Sequence, residues 1–198
     1  MAKGASYVVQ YRRKRAGRTN YKKRLDMLKS RKPRLVVRKS NKRILAQIIE
    51  YAEDGDRINA AADSNDLKGF GWKYSGKNLP ASYLTGFLCA KRSMAKGNKE
   101  AVMDMGLQPS IKGSSLYAAL KGAVDAGLQI PTGEKILPDE KRITGAHIAD
   151  YATKLDKKDY DKRFSGYLKA GADPKNIASS FTEVKENIEK SFQKNENA

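Results

Sequence analysis

The sequence predicts an α/β domain: a mixed sheet, made of an antiparallel meander plus an added strand, layered with helices. A basic N-terminal arm precedes it and a helical C-terminal extension follows. Three observations predict this. Three short β-prone runs separated by tight turns lie between residues 34 and 62. A helix–strand–helix order comes next, as expected of a sheet covered by helices. The charge is also segregated. Residues 1–43 hold 17 of the 40 Lys and Arg but one of the 22 acids, Asp26, so they carry +16 of the net +18. The chain therefore divides into an arm with a short helix (1–33), an α/β domain (34–130), and a connector with helices (131–198).

In the arm, Thr19 or Asn20 caps a short helix from Tyr21 to Lys29, with Leu25 and Leu28 as its apolar edge. Lys32-Pro33 ends that helix and turns the chain to extended structure. With few apolar groups to offset the entropy of ordering, the free arm is expected to be poorly ordered. Arg34 to Lys39 (RLVVRK) is the first strand and Ser40 to Arg43 a turn, where Ser and Asn supply local hydrogen bonds. Ile44 to Ala52 is the second strand, with Ile44, Ala46 and Ile48 on one face. Glu53-Asp54-Gly55 turns into a third strand of small residues, Asp56 to Ala62.

A glycine-punctuated loop, residues 63–77, carries Phe70, Trp72 and Tyr74 beside Lys68, Lys73 and Lys77. It reads either as a lid packed on the sheet or as a stacking surface for RNA bases. Leu79-Pro80 opens a helix to about Ala95, proline being suited to a first turn. Ala101 to Leu107 is a fourth strand. Ser114 or Ser115 caps a helix whose buried face is Leu116, Leu120, Val124 and Leu128. Pro131 to Arg142 is a polar connector. Beyond it, Ile177, Phe181, Val184, Ile188 and Phe192 keep a 3.6-residue rhythm. These last helices read as an appended hairpin packed on the domain or on a partner.

The charge pattern points to a polyanion, because basic groups that meet phosphates release condensed counterions. Tyr7, Tyr11 and Tyr21 are spaced among the cations, and such rings stack on unpaired bases, which favours RNA over duplex DNA. Other chemistries find little support. A lone cysteine, Cys89, permits no internal disulfide and reads as a small buried hydrophobe. One Cys and one His cannot build a zinc site. His147 has no nucleophile placed beside it and reads as structural or RNA-contacting. No GxxxxGK[ST] phosphate loop is present, and no cofactor is expected. No apolar run approaches membrane-spanning length and the start lacks a secretory signal, so a reduced, soluble, intracellular protein without a small-molecule substrate is expected. Two alternatives stay open. One is a free RNA-maturation factor or chaperone using the same arm. The other is a metal-dependent nuclease built on Asp54, Asp56, Asp63, Asp66 and Asp104, since paired cations held by carboxylates can straddle a scissile phosphate.

Two segments carry a resemblance. The run KKRLDMLKSRKPRLVVRKSNKRILAQII, residues 22–49, closely resembles the start of the folded domain in the universal L-eighteen family of large-subunit ribosomal proteins. The run NLPASYLTGFLCAKRSMAKG, residues 78–97, with the FGWKYSGK loop before it, resembles that family's archaeal and eukaryotic branch. The likeness spans residues 1–130 in order, and the helical C-terminal extension is similar to the archaeal form. The resemblance implies a non-enzymatic protein of the cytoplasmic ribosome with a mixed sheet packed by helices. It implies that the protein binds 5S rRNA and anchors it to the large-subunit rRNA at the central protuberance, beside another 5S-binding ribosomal protein. The family's basic arm maps onto Arg12, Arg13, Lys14, Arg15 and Arg18 and onto Tyr21, Lys22, Lys23 and Arg24. Its strand-turn contact maps onto Arg38, Ser40, Asn41, Lys42 and Arg43. Trp72, Lys73 and Lys77 join the expected RNA-binding set from the loop reading.

Overall fold

Proline at position 33 has no N–H to continue a helix and disfavours helical geometry before it, so the chain enters a strand at Arg34. The structure, a computed structural model, describes residues 4–196. The first three residues of the predicted arm lie outside that range.

Strand β1 (Arg34–Lys39) pairs antiparallel with β2 (Ile44–Glu50), which pairs antiparallel with β3 (Arg57–Asp63). A short β4 (Val102–Asp104) adds parallel to β1, giving the order β3-β2-β1-β4. The meander with one added strand is the predicted architecture. Several strand boundaries differ by one to three residues. β2 stops at Glu50, and β3 begins at Arg57, one residue after Asp56, whose carboxylate is engaged by arginines. β4 stops at Asp104, because the Asp104 carboxylate accepts from Gly106 N–H at 2.7 Å and Gly106 takes a left-handed φ of 62°. A register shift between Ile48 and Ile49 leaves Asn59 as an extra residue in β3.

Alternation sorts the strands into two faces. Leu35, Val37, Ile44, Ala46, Ile48, Ala60 and Ala62 point into the core. Helix α3 (Leu79–Met94) and helix α4 (Ser115–Asp125) cover that face. α3 starts where sequence chemistry places it: the Asn78 side chain accepts from Ala81 N–H at 2.9 Å, and Pro80 sits in the first turn. α3 and α4 meet backbone to backbone, for a Cβ at Gly86 would strike the Ala119 carbonyl and one at Gly122 that of Tyr83. Cys89 is fully buried among them, and burial pushes its thiol up to about 12, as the reading of an inert core residue requires.

Two arm segments are helical, more structure than composition alone suggests. Helix α1 (Arg12–Arg15) is one turn, and helix α2 (Tyr21–Leu28) is capped by the Asn20 side chain, which accepts from Lys23 N–H at 3.1 Å. An ion pair to the sheet, described below, supplies what the missing apolar groups do not.

The C-terminal segment is not a simple hairpin. Four short helices, α5 (Glu140–Ile143), α6 (Ala146–Lys154), α7 (Lys157–Arg163) and α8 (Ser165–Lys169), precede a long α9 (Ile177–Glu196). Left-handed glycines at 145 and 171 break the run. Its open partner is the domain itself: Ile177, Phe181, Val184 and Ile188 are buried in the same core as the sheet, with the Phe181 ring 5.4 Å from that of Tyr83.

Candidate nucleic-acid interface

The second face of the sheet is built by the other half of the same alternation. Arg34, Val36 and Arg38 stand opposite Ile49, Gln47 and Leu45 across the β1–β2 ladder. α2 and the chain before it lie over this face and leave a cleft of about 490 Å³. Its lining includes Arg13, Arg18, Tyr21, Lys23, Arg24, Arg34, Val36, Arg38, Gln47, Ile49, Asp56, Asp104 and Leu107. Six cations thus face two carboxylates.

Both carboxylates are spoken for. Arg24 donates to Asp56 through both terminal nitrogens, at 2.9 and 2.7 Å, tying α2 to the turn before β3. Arg34, 2 % exposed, donates to Asp56 at 2.7 Å and to Asp104 at 3.0 Å, while its Nε is buried without a partner. Burial pushes the Asp56 carboxyl up, but the hydrogen bonds and charges of Arg24 and Arg34 outweigh it and hold the group below the usual carboxylate range. The same hydrogen bond to Asp56 raises the Arg24 guanidinium, against its own desolvation. Arg38 lies over Gly106, reaching the Val37 and Asp104 carbonyls at 3.2 and 3.4 Å, with its guanidinium part-exposed. A side chain at position 106 would collide with it.

The predicted binding residues distribute as follows. Arg12, Arg13, Lys14 and Arg15 make up α1 and are exposed, as are Arg18, Lys22 and Lys23. Arg13 Nε donates to the Thr19 hydroxyl at 2.9 Å. The Tyr21 ring lies 5.0 Å from that of Tyr11 at a 47° tilt, so two rings of the arm stand together beside the cleft. The Ser40 turn is closed by its own side chain: Ser40 Oγ donates to the Arg43 carbonyl at 2.9 Å and accepts from Arg43 N–H at 3.1 Å. Asn41 and Lys42 are its exposed tip, and Arg43 approaches Asp63 at 3.4 Å. Arg38 lines the cleft two residues before this turn, so the arm, the cleft and the turn are joined along one strand.

The loop divides. Lys73 and Lys77 are exposed, but Trp72 is 2 % exposed and its indole N–H donates to the Ser75 carbonyl at 3.4 Å. Trp72 is corrected from a stacking candidate to a core residue. Beside it, the Tyr74 hydroxyl donates to the Asp173 carbonyl at 2.8 Å, so the C-terminal segment clamps the loop as a lid. Four of the five carboxylates of the nuclease alternative are engaged by arginines: Asp56 and Asp104 by Arg34, Asp66 by Arg92 at 2.6 Å, and Asp63 by Arg43. Among the described residues no group of three or more His, Cys, Asp and Glu side chains is placed to hold a metal ion.

Arg34, Gln47 and Leu107 are cleft residues that the sequence reading did not single out. The alternation in RLVVRK and ILAQIIE, followed to the second face, was the signal that pointed to the first two.

A near-neutral layered body with cations surplus on one face and along an arm defines a scaffold for a polyanion. Similarity to known proteins narrows this class. A family model described as ribosomal large subunit proteins 60S L5 and 50S L18 matches residues 5–102. Proteins named large ribosomal subunit protein uL18 match nearly end to end. That of Korarchaeum cryptofilum is 52 % identical over 189 residues, covering 95 % of this chain and 97 % of the relative. That of Methanobrevibacter smithii is 49 % identical, covering 96 % and 98 %. That of Thermofilum pendens is 46 % identical over 196 residues, covering 98 % and 100 %. The chain belongs to the archaeal uL18 family of large-subunit ribosomal proteins. It is a structural constituent of the ribosome and not an enzyme, with rRNA and ribosomal proteins as its surroundings. No helix among the described residues is long and apolar enough to cross a membrane.

Proposed function

We propose that this chain binds 5S rRNA and attaches it to the large rRNA at the central protuberance of the cytoplasmic ribosome, beside a second 5S-binding ribosomal protein. The arm, from Arg12 to Arg24, tracks phosphates and stacks Tyr rings. The turn from Ser40 to Arg43, with Arg38 before it, sets a rigid polar edge against an RNA groove, where shape and 2′-hydroxyls are read. Lys73 and Lys77 extend the contact from the loop. The α/β unit of residues 34–130 holds these elements at fixed spacing, and the helices beyond it brace the loop and the core.

The observation that carries this reading is the surplus of unpaired cations, continuous from α1 through the cleft to the turn, on one side of a body whose other charges nearly cancel. Filter binding of the full chain to labelled 5S rRNA across a salt series tests it. Neutralising Arg12, Arg13, Lys14 and Arg15 together is expected to lower the salt slope by about 3–4 if all four meet phosphate. Binding to 5S rRNA no tighter than to an unrelated structured RNA of equal length would overturn the assignment.

A further inference from the structure

The arm is usually enough to explain RNA affinity, yet the cleft beneath it has a chemistry that phosphate binding does not require. Its volume falls within the roughly 300–1,000 Å³ of pockets that enclose one small ligand. Its floor is apolar where Val36 and Ile49 line it, and Leu107 stands at its edge, 53 % exposed. Set in that floor is one neutral amide, Gln47, which makes no hydrogen bond within the described residues. Around the rim stand the Tyr21 ring and the unpaired Arg18. An apolar floor with the Gln47 amide set in it, beneath a polar rim of cations, the Tyr21 ring, Thr19 and Asn20, matches a nucleobase and its phosphate.

We propose that this cleft takes one unpaired nucleotide, turned out of the rRNA the protein holds. The base lies on the Val36, Ile49 and Leu107 surface, Gln47 reads its edge, and its phosphate meets Arg18. Gln offers a donor and an acceptor side by side, the pair that adenine's Hoogsteen edge satisfies, so adenine is the favoured base. A duplex cannot fill such a site, since an A-form helix offers a broad shallow groove, whereas a splayed base enters edge-on. The two carboxylates do not repel the phosphate, because Arg24 and Arg34 already neutralise them. An acidic peptide would use the rim but leave the apolar floor and the Gln47 amide unmatched.

The inference rests on the 5S rRNA reading, and the test separates the two. The full chain and two variants, Gln47→Leu and Leu107→Glu, are titrated with 5S rRNA, and the accessibility of adenine N7 is probed with diethyl pyrocarbonate. Gln47→Leu keeps the side-chain size on the sheet, and Leu107 is exposed enough to change without disturbing the core. The expected result is that the native chain protects one unpaired adenine, that both variants restore its reactivity, and that Gln47→Leu weakens binding about 5- to 100-fold with the salt slope unchanged. Variants that bind and protect like the native chain would overturn the nucleotide site while leaving the 5S reading intact. A native chain that does not bind 5S rRNA would overturn both.

Discussion

The two faces of the sheet are made by the same strands and do opposite work. On the inner face, Leu35 and Val37 of β1 meet Ile44, Ala46 and Ile48 of β2 under α3 and α4, and among the described residues no charged side chain is buried there. On the outer face the intervening residues are Arg34, Val36 and Arg38, with Gln47 across the ladder, and a cleft stays open beneath α2. The inner face gains stability from area removed from water, about 25 cal/mol per Å². The outer face holds its cations in register against two carboxylates and leaves the surplus unpaired. Stability and binding should therefore be separable by mutation, face by face.

The largest expected effect lies on the inner face. Phe87→Ala empties a buried ring position in α3, where Phe87 stacks against Tyr83 at 6.2 Å. It should cost about 3–5 kcal/mol in a denaturant titration, with rRNA affinity per folded molecule unchanged. A loss below about 1 kcal/mol would mean the helix layer is not what stabilises the fold. The sharpest challenge to the division comes from Asp104, an outer-face residue that is itself buried. Asp104→Ala strips Arg34 of one partner inside the protein. Arg34 keeps Asp56 at 2.7 Å, so the loss is that of one buried charge-assisted hydrogen bond, about 1.5–3 kcal/mol, and this variant should lose stability like a milder core mutation although it sits on the binding side. If its denaturation midpoint matches the native chain, the Arg34 network is dispensable and the outer face carries no stability at all.

Smaller in effect is the turn. Asn41→Ala with Arg43→Ala should lower 5S rRNA affinity about 10-fold while the thermal melt barely moves, because both side chains are exposed and the turn is closed by Ser40 instead. Unchanged affinity would remove the turn from the interface.

Much of this division was legible before any coordinates. RLVVRK reads as a strand, Ser40-Asn41 signals a turn, and Leu79-Pro80 marks a helix start; each is local chemistry, and each stands in the structure. What local chemistry could not decide was settled at long range. Aromatics between glycines and lysines suit a lid or a stacking surface equally well. Trp72 is packing because Tyr74 is held by Asp173, 99 residues on. Arg34 reads as one more basic residue of the arm until Asp56 and Asp104 reach it from 22 and 70 residues away. Helix α9 followed the same rule: its apolar stripe was plain, but its partners, α3 and α6, were not written beside it.

The link between the faces and the arm is the Arg24–Asp56 pair, and pH can break it. Asp56 titrates below its ordinary value when folded, because Arg24 and Arg34 overcome the effect of burial. A depressed carboxylate contributes stability that is present above the ordinary carboxylate range and is lost as pH falls through the folded value. The docking of α2 should therefore hold at neutral pH and weaken below about pH 4. Both partners are about a quarter exposed, so solvent screens the pair and its share of stability is about 1 kcal/mol. Hydrogen exchange reads this directly. The amides of α2 should lose protection as pH falls from about 4 through the depressed Asp56 value while those of β1 keep theirs, and Asp56→Asn should show the loosened α2 already at pH 7. Protection of α2 that stays level with β1 throughout would mean that the arm is held by something other than this carboxylate, and that the outer face is as fixed as the inner one.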